Sequence, residues 1–495
     1  MPAVEYRVIN DPIYGLIRLD NRLFKIIDTE FFQRLRDIKQ LGALDYVFPG
    51  ATHNRFAHSI GTCYLAGKWL ELLRDKMDKE GVRHTNSVYI KGRDILQVQI
   101  AALCHDLGHG PFSHMFEDVF ISSTEPKIDF SHEDMSIKLL EKIWENIDPQ
   151  LRASITKGQA QDEYIAQIFN MIKGEVPEDT KKPFLYRIVC NTETGFDVDK
   201  LDYLVRDTKS AGVPLSFDQM RLLEFSMIKN YKETPCICFD LRSATNLANV
   251  FVNRFDLHKD VYSHRVVDGI EMMIGDIFRI ASEKDPVRFN LSNSVGNADD
   301  YYLLTDSILK EIERSNIEGC KELIKRLRRR DFYKCLVRLP LKVDLNKENI
   351  KGELKKMVEE QKDKFAQIII DRKLERSIEI KSRTFTFGVI NPLKNVLFYN
   401  SVHDTPSTMP SLFSSKFSNP VIESELRFYI KDTKNIDTLW AQVIEIIQKG
   451  SEGNHNVMSP VSTPSKYHPK QSFISDSDGR DLNNDFYNCT TPHKK

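Results

Sequence analysis

Leu103-Cys104-His105-Asp106-Leu107-Gly108-His109-Gly110-Pro111-Phe112-Ser113-His114 places three histidines and a carboxylate within ten positions. The segment follows the apolar run Ile95–Leu103, which reads as a helix. An adjacent His-Asp pair leaving a helix is a good chelate, and imidazole with carboxylate suits Zn, Fe, Mn or Mg. Cations held this way generate hydroxide at neutral pH, so the segment points to metal-assisted hydrolysis. His105 and His109 also share the i, i+4 spacing of a metalloprotease helix, but Asp106 stands where that chemistry needs Glu. Gly108, Gly110 and Pro111 would also end the helix there, which disfavours that reading.

The chain around this segment has 495 residues, enough for two or three domains. Its 41% hydrophobic and 28% charged residues are ordinary for a globular protein, and a net charge of -1 gives no global field toward nucleic acid or anionic membranes. Eight scattered cysteines form neither a disulfide framework nor a zinc ribbon, which points to a reducing, intracellular setting. No apolar stretch is long enough to span a bilayer and no secretory signal is evident.

The expected fold is mainly α: an all-helical core with a smaller α+β C-terminal lobe and a disordered tail. Residues 1–20 read as a strand and turn, and Ile26 to about Ile280 as mostly helix. Phe56, Ile60, Tyr64, Gly67 and Leu70 recur at helical spacing, as do Met135, Leu139, Ile143 and Trp144 behind a Ser131/Asp134 cap. Residues 301–332 read as basic helix, and strands are expected at 335–339, 377–380, 384–387, 396–399 and 426–430. The proposed division is 1–290 (core with an N-terminal segment), 291–450 (C-terminal lobe) and 451–495, a Ser/Pro/Asn-rich tail.

His109 is expected in the last turn of its helix, where the dipole favours an imidazolium suited to phosphate binding or proton donation. His114 and His132 open later helices, so three histidines are available as phosphate contacts and general acid. Residues 252–265 read as one helix, with Arg254, His258 and Tyr262 along one face, a stripe suited to polyphosphate. Lys200 and Arg55 add charge. A solvated polar face is the plainer meaning of such a stripe standing alone. The same holds for the basic run Lys325–Arg330, whose other meaning is weak single-stranded nucleic-acid binding.

Two further pieces, His53-Asn54-Arg55-Phe56-Ala57-His58 and Asp197-Val198-Asp199-Lys200, complete an order of His, then His-Asp, then a distant Asp that resembles the HD hydrolase superfamily. With Phe32–Arg36, Ile38–Gly42, Val47–Ala51 and Cys104–Phe116, the chain resembles the metazoan deoxynucleoside triphosphate triphosphohydrolases that carry a SAM domain ahead of an HD domain and deplete dNTP pools as restriction factors. The match runs from about Arg7 to residue 290, weakens to about 435 and resumes briefly in the tail. The resemblance implies His58, His105, Asp106 and Asp199 as ligands of a divalent metal (Zn, Fe or Mn), and His109, His114 and His132 as the histidines of the catalytic pocket. It implies Arg55, Lys200, Tyr203, Asp207, Arg254, His258 and Tyr262 on the triphosphate and sugar, with Gln40 and Leu41 fitting the deoxyribose and leaving no room for a 2′-OH. The implied reaction is attack of metal-activated water on the α-phosphorus, releasing deoxynucleoside and triphosphate. His114 is favoured as the acid for the 5′-oxygen and His109 as the α-phosphate contact.

The same resemblance implies activation by GTP or dGTP at one site and a dNTP at a second, bridged by Mg, in a homotetramer. Arg7, Val8, Asp28, Gln33 and Arg36 match the first site; Asn10, Val47, Phe48, Arg221, Arg242 and Asn246 match the second. Asp240 stands where the family carries a basic residue, so the second site is expected to be weakened or rearranged; Lys259-Asp260 and Ser263 also depart from the pattern. The chain is expected to lack the SAM domain, to be active without it, and to be nuclear as the family often is. Thr463-Pro464-Ser465-Lys466 fits a proline-directed kinase site. The competing readings are another HD nucleotide phosphohydrolase, or a nucleic-acid-binding scaffold with a residual pocket.

Overall fold

The computed structural model describes residues 5–82, 86–342, 350–386, 393–401, 403–408, 422–451, 457 and 459–462. It opens with a hairpin, β1 (Tyr6–Asp11) and β2 (Gly15–Asp20), paired antiparallel. Helices α1 (Arg55–Lys79), α2 (Gly92–Cys104), α3 (His132–Asn146), α4 (Gln161–Lys173) and α5 (Val198–Ala211) follow. After a hairpin of β3 (Ser226–Tyr231) and β4 (Thr234–Asp240) come α6 (Ala244–Asp256), α7 (Arg265–Lys284) and α8 (Glu318–Arg328). Then come β5 (Lys334–Leu341), α9 (Ile350–Asp371), β6 (Ile378–Thr386), β7 (Leu397–Tyr399), β8 (Ser407–Thr408), β9 (Ile422–Ile430), α10 (Ile436–Ser451) and β10 (Val461–Ser462).

The mainly helical class holds, with a smaller strand-containing C-terminal region. One apolar core gathers α1 to α8 and extends through Phe289, Tyr301, Leu327 and Tyr333. A second lies between the β10-β5-β9-β6 sheet and helices α9 and α10, around Leu339, Phe365, Phe428 and Val443. α1 is buried along most of its length and packs on both α2 and α5, so it forms the axis from which the site is built.

Two local expectations are corrected. The β3–β4 hairpin interrupts the stretch read as helix; its turn uses Lys232 and Glu233 with φ of 49° and 68°, so the usual Gly or Asn-Gly signal was missing. The strands expected at 377–380 and 384–387 are one strand, β6, with residue 387 outside the described residues, because its polar centre Lys381-Ser382-Arg383 meets the buried carboxylate of Asp268 rather than breaking the strand. The basic stretch 301–332 is several short helices, including Ile308–Arg314 and α8. Thr463 and the tail beyond it lie outside the described residues. Among the described residues no helix is long and apolar enough to cross a membrane.

Candidate active site

Helix caps set the expected ligands in place. Asn54 caps α1 by accepting from Ala57 N at 3.1 Å, which puts Arg55 and His58 in the first turn, both buried. Asp197 caps α5 through Lys200 N at 3.1 Å, which puts Asp199 in its first turn and Asp202 and Arg206 below it on one stripe. α2 ends at Cys104, so His105-Asp106 leaves the helix into the space between α1 and α5.

The four expected ligands converge. His58 Nε2 lies 3.4 Å from Asp106 Oδ2 and 3.2 Å from Asp199 Oδ1; His105 Nε2 lies 3.5 Å from Asp106 Oδ1 and 3.4 Å from Asp199 Oδ1. The other ring nitrogens are occupied: His58 Nδ1 by Asp202 Oδ2 at 2.8 Å and His105 Nδ1 by the Ala102 carbonyl at 2.8 Å. Both Nε2 lone pairs are thereby aimed at one point, the arrangement that orients metal-binding imidazoles. His58 Nε2 is buried and has no hydrogen-bond partner, as a nitrogen reserved for a cation requires. Burial works against a charge on His58, yet the carboxylates of Asp199, Asp202 and Asp106 around it raise its pKa to about 10. The donor set thus carries an excess of negative charge that a divalent cation would satisfy.

Asp202 is held in turn by Arg206 (2.8 and 2.9 Å) and the Tyr14 hydroxyl (2.8 Å). Gly61 makes room for this group: a Cβ there would sit 2.1 Å from Asp202 Oδ1 and 2.3 Å from Arg206. Arg55 is committed to the same centre, bonding Asp106 and, at 2.8 Å, Ser113 Oγ.

His109 departs from expectation. It lies beyond the end of α2, in a turn, so the helix-dipole argument for an imidazolium fails. Burial, then Arg55 and His132, push its pKa well below the ordinary value. Its ring stacks on His132 at 3.9 Å and 18°, with His114 edge-on to both. His132 bonds Glu117 at 2.8 Å, which outweighs burial and raises its pKa, whereas His114 falls to about 4 through burial, Arg55 and His132. Gly108 lets this loop lie against α3, because a Cβ there would be 2.1 Å from the His132 carbonyl. Buried Arg34 fixes the loop by donating to the Leu107 and His109 carbonyls at 2.8 and 3.0 Å. Asp306 accepts from Phe112 N at 2.7 Å and Lys39 N at 3.0 Å. These bonds support the left-handed backbone of Phe112 and Ser113 (φ 60° and 59°).

A cavity of about 440 Å³ opens above the centre. Gln40, Leu41, Arg55, Lys200, Tyr203, Asp207, Arg254, His258 and Tyr262 all line it, together with Asp199 and His114. The expected single helix over 252–265 is instead α6 followed by a π-helical turn, Leu257–Tyr262. The wider turn offsets the drift of about 40° that four α-helical residues impose, and keeps Arg254, His258 and Tyr262 on the cavity side. Tyr262 donates to Asp207 at 2.6 Å, and Asp207 also bonds His53 at 2.7 Å. Missing from the sequence reading were Asp202, Glu117, Arg34 and Asp306, and the wall formed by Asp118, Glu271, Lys381 and Arg383. Asp202, Glu117, Arg34, Asp306, Lys381 and Arg383 have partners far away in the chain, so no local motif marks them.

The residues matched to effector sites form separate surface groups. Arg7 pairs with Asp28 at 2.6 Å and lies over Phe24, while Gln33 bonds Arg36 at 2.7 Å and the Ile27 carbonyl beside Asp28; Val8 is exposed. Arg221 and Arg242 both lie over Phe225, and Asn246 accepts from Asp218 N at 2.9 Å. Asp240 is buried, caps the turn at Arg242 N and pairs with Arg242 at 2.6 Å. Asn10 sits on β1, and Phe48, beside Val47, packs edge-on to His264. In the basic run, Arg326 bonds Asp331, Arg328 bonds Glu313 and Arg330 bonds the Tyr46 carbonyl.

The HD domain family matches residues 55–205. The chain is 33% identical over 500 residues to the deoxynucleoside triphosphate triphosphohydrolase SAMHD1 of Homo sapiens, covering 93% of this chain and 77% of that protein. It is 36% identical over 419 residues to SAMHD1 of Bos taurus, covering 79% and 69%. It is 32% identical over 465 residues to an HD domain-containing protein of Acanthamoeba polyphaga mimivirus, covering 88% and 95%.

Proposed function

This chain belongs to the HD-domain family of deoxynucleoside triphosphate triphosphohydrolases, and from that membership we propose that it cleaves dNTPs at the α-phosphorus to deoxynucleoside and inorganic triphosphate. The observation that carries the reading is the orphaned, buried His58 Nε2 among three further donors, one of which, Asp199, lines a cavity together with Lys200, Arg254 and His258.

His58, His105, Asp106 and Asp199 would hold a divalent cation (Zn, Fe or Mn), which supplies Lewis acidity and an activated water at neutral pH. Asp202, clamped by Arg206 and Tyr14, orients His58. Lys200, Arg254, His258 and Tyr262 bind the triphosphate, whose own Mg travels with it. Gln40 and Leu41 pack the deoxyribose. His114 delivers the proton to the departing 5′-oxygen: the negative charge of the substrate offsets the burial and the neighbouring Arg55 and His132 that lower its basicity. His109 and His132 complete the α-phosphate contact.

The reading extends to regulation. GTP or dGTP at the Arg7–Asp28 group and a dNTP at the Arg221–Arg242 group would join four subunits, with Asp28 accepting from the guanine edge. Asp240 draws Arg242 toward itself, which weakens the second site. Lowering of dNTP pools, restriction of viruses and a nuclear location follow the family. Weak single-stranded nucleic-acid binding finds little support, because Arg326, Arg328 and Arg330 are engaged within the chain. The test is incubation of pure protein with dGTP, and with dATP with or without GTP, followed by chromatography. Deoxynucleoside and triphosphate support the reading; monophosphate with pyrophosphate, or diphosphate with orthophosphate, replaces it with another HD phosphohydrolase.

A further inference from the structure

Part of the cavity wall is unlike a phosphate cradle. Val267 and Glu271, four apart on α7, share it with Lys381 and Arg383, two apart on β6, and with Asp118. Lys381 Nζ lies 3.1 Å from Asp268 Oδ1 and 3.3 Å from Glu271 Oε2; Arg383 bonds Asp268, which is fully buried and also takes Arg427 at 2.8 Å. The two cations are thus held by the buried Asp268 carboxylate, with Glu271 beside Lys381, while still lining the cavity. Asp118 and Glu271 would repel a triphosphate. Lys200, Arg254 and His258 offer that group a cradle with Asp199 and the HD ligands at hand.

A nucleotide seated on that cradle has its base left to place, and this wall carries fixed donors beside an acceptor. Resting on the dNTP reading above, we propose that Glu271, Lys381 and Arg383 form a base-reading edge that favours guanine over adenine. Guanine offers O6 and N7 as acceptors, the pair that Arg and Lys recognise, and ring and amino N–H groups that a carboxylate accepts. Adenine presents its N6 amino donor where guanine has O6, facing two cations that cannot accept. Ser263, also on the cavity wall, is short enough to leave the base in reach of this edge. The edge spans both parts of the molecule, since β6 belongs to the C-terminal sheet and α7 to the helical core.

The test is kcat/KM for dGTP and dATP, with GTP present throughout, in the wild type and in Lys381→Met, Arg383→Met and Glu271→Gln. The expected wild-type preference for dGTP is about tenfold or more, the scale of one bidentate base contact, and each substitution moves the ratio toward one. A merely structural role would lower both rates together and leave the ratio unchanged. Equal wild-type rates for the two nucleotides, or a ratio that survives the substitutions, overturns the inference. Should the methionine variants fail to fold, the near-isosteric Glu271→Gln decides it alone. Release of triphosphate from neither nucleotide would instead defeat the reaction itself.

Discussion

Replacing Asp202 by Asn removes the charged acceptor that fixes the His58 ring, while leaving all four proposed ligand side chains in place. Loss of such a supporting carboxylate weakens metal affinity by about 10- to 100-fold; metal titration of the purified variant should show it, and unchanged affinity would mean the ring is held otherwise. His114→Ala should keep metal and substrate binding but lower turnover by about 100-fold or more, the share of a general acid. Near-normal turnover would move the proton to His132. At this scale the convergence of His58, His105, Asp106 and Asp199 was legible, because they sit in short motifs whose residue types have few other uses together. Asp202 was not, although it lies three residues from Asp199: an aspartate inside a helix reads as a solvated surface group until Arg206, Tyr14 and His58 are seen around it. His109 was expected inside a helix that in fact ends at Cys104, so the dipole argument for its charge does not apply.

Between elements, α7 and the β6–β9 strands are joined through one buried acid, Asp268, which takes Lys381, Arg383, Arg427 and the Tyr429 hydroxyl. Burial opposes its ionisation, but the three cations hold its carboxyl well below the ordinary range. A depressed acid contributes stability that is complete above its unfolded pKa, about 3.9, and is lost as pH falls toward the folded value. Asp268→Asn should therefore destabilise the protein by about 3–5 kcal/mol at neutral pH, and the gap to wild type should narrow below about pH 4. Denaturant melts at pH 7 and pH 3.5 check both; a gap independent of pH would mean the charge is not what matters. None of this was visible in the sequence, where Lys381-Ser382-Arg383 reads as a break between two strands. The π-helical turn at Leu257–Tyr262 was equally hidden, since Arg254, His258 and Tyr262 fit an α-helical stripe well enough.

For the whole molecule, the exposed Arg7–Asp28 and Arg221–Arg242 groups are the parts that the proposed activation would join to other subunits. Sedimentation with GTP plus a dNTP should convert the chain to a tetramer; a chain that stays monomeric yet hydrolyses dNTP would remove the effector reading and leave the active site standing. The mainly helical architecture followed from periodicity and from the apolar run before His105, and the cavity assembles residues from six stretches between Gln40 and Arg383 that no local pattern unites. The central claim is that water attacks the α-phosphorus of a dNTP at the centre made by His58, His105, Asp106 and Asp199. Hydrolysis of dGTP in 18O-labelled water tests it most directly. The account predicts label in the released triphosphate and none on the 5′-oxygen of the deoxynucleoside. Label in the nucleoside, or in orthophosphate or pyrophosphate released in place of triphosphate, would contradict it.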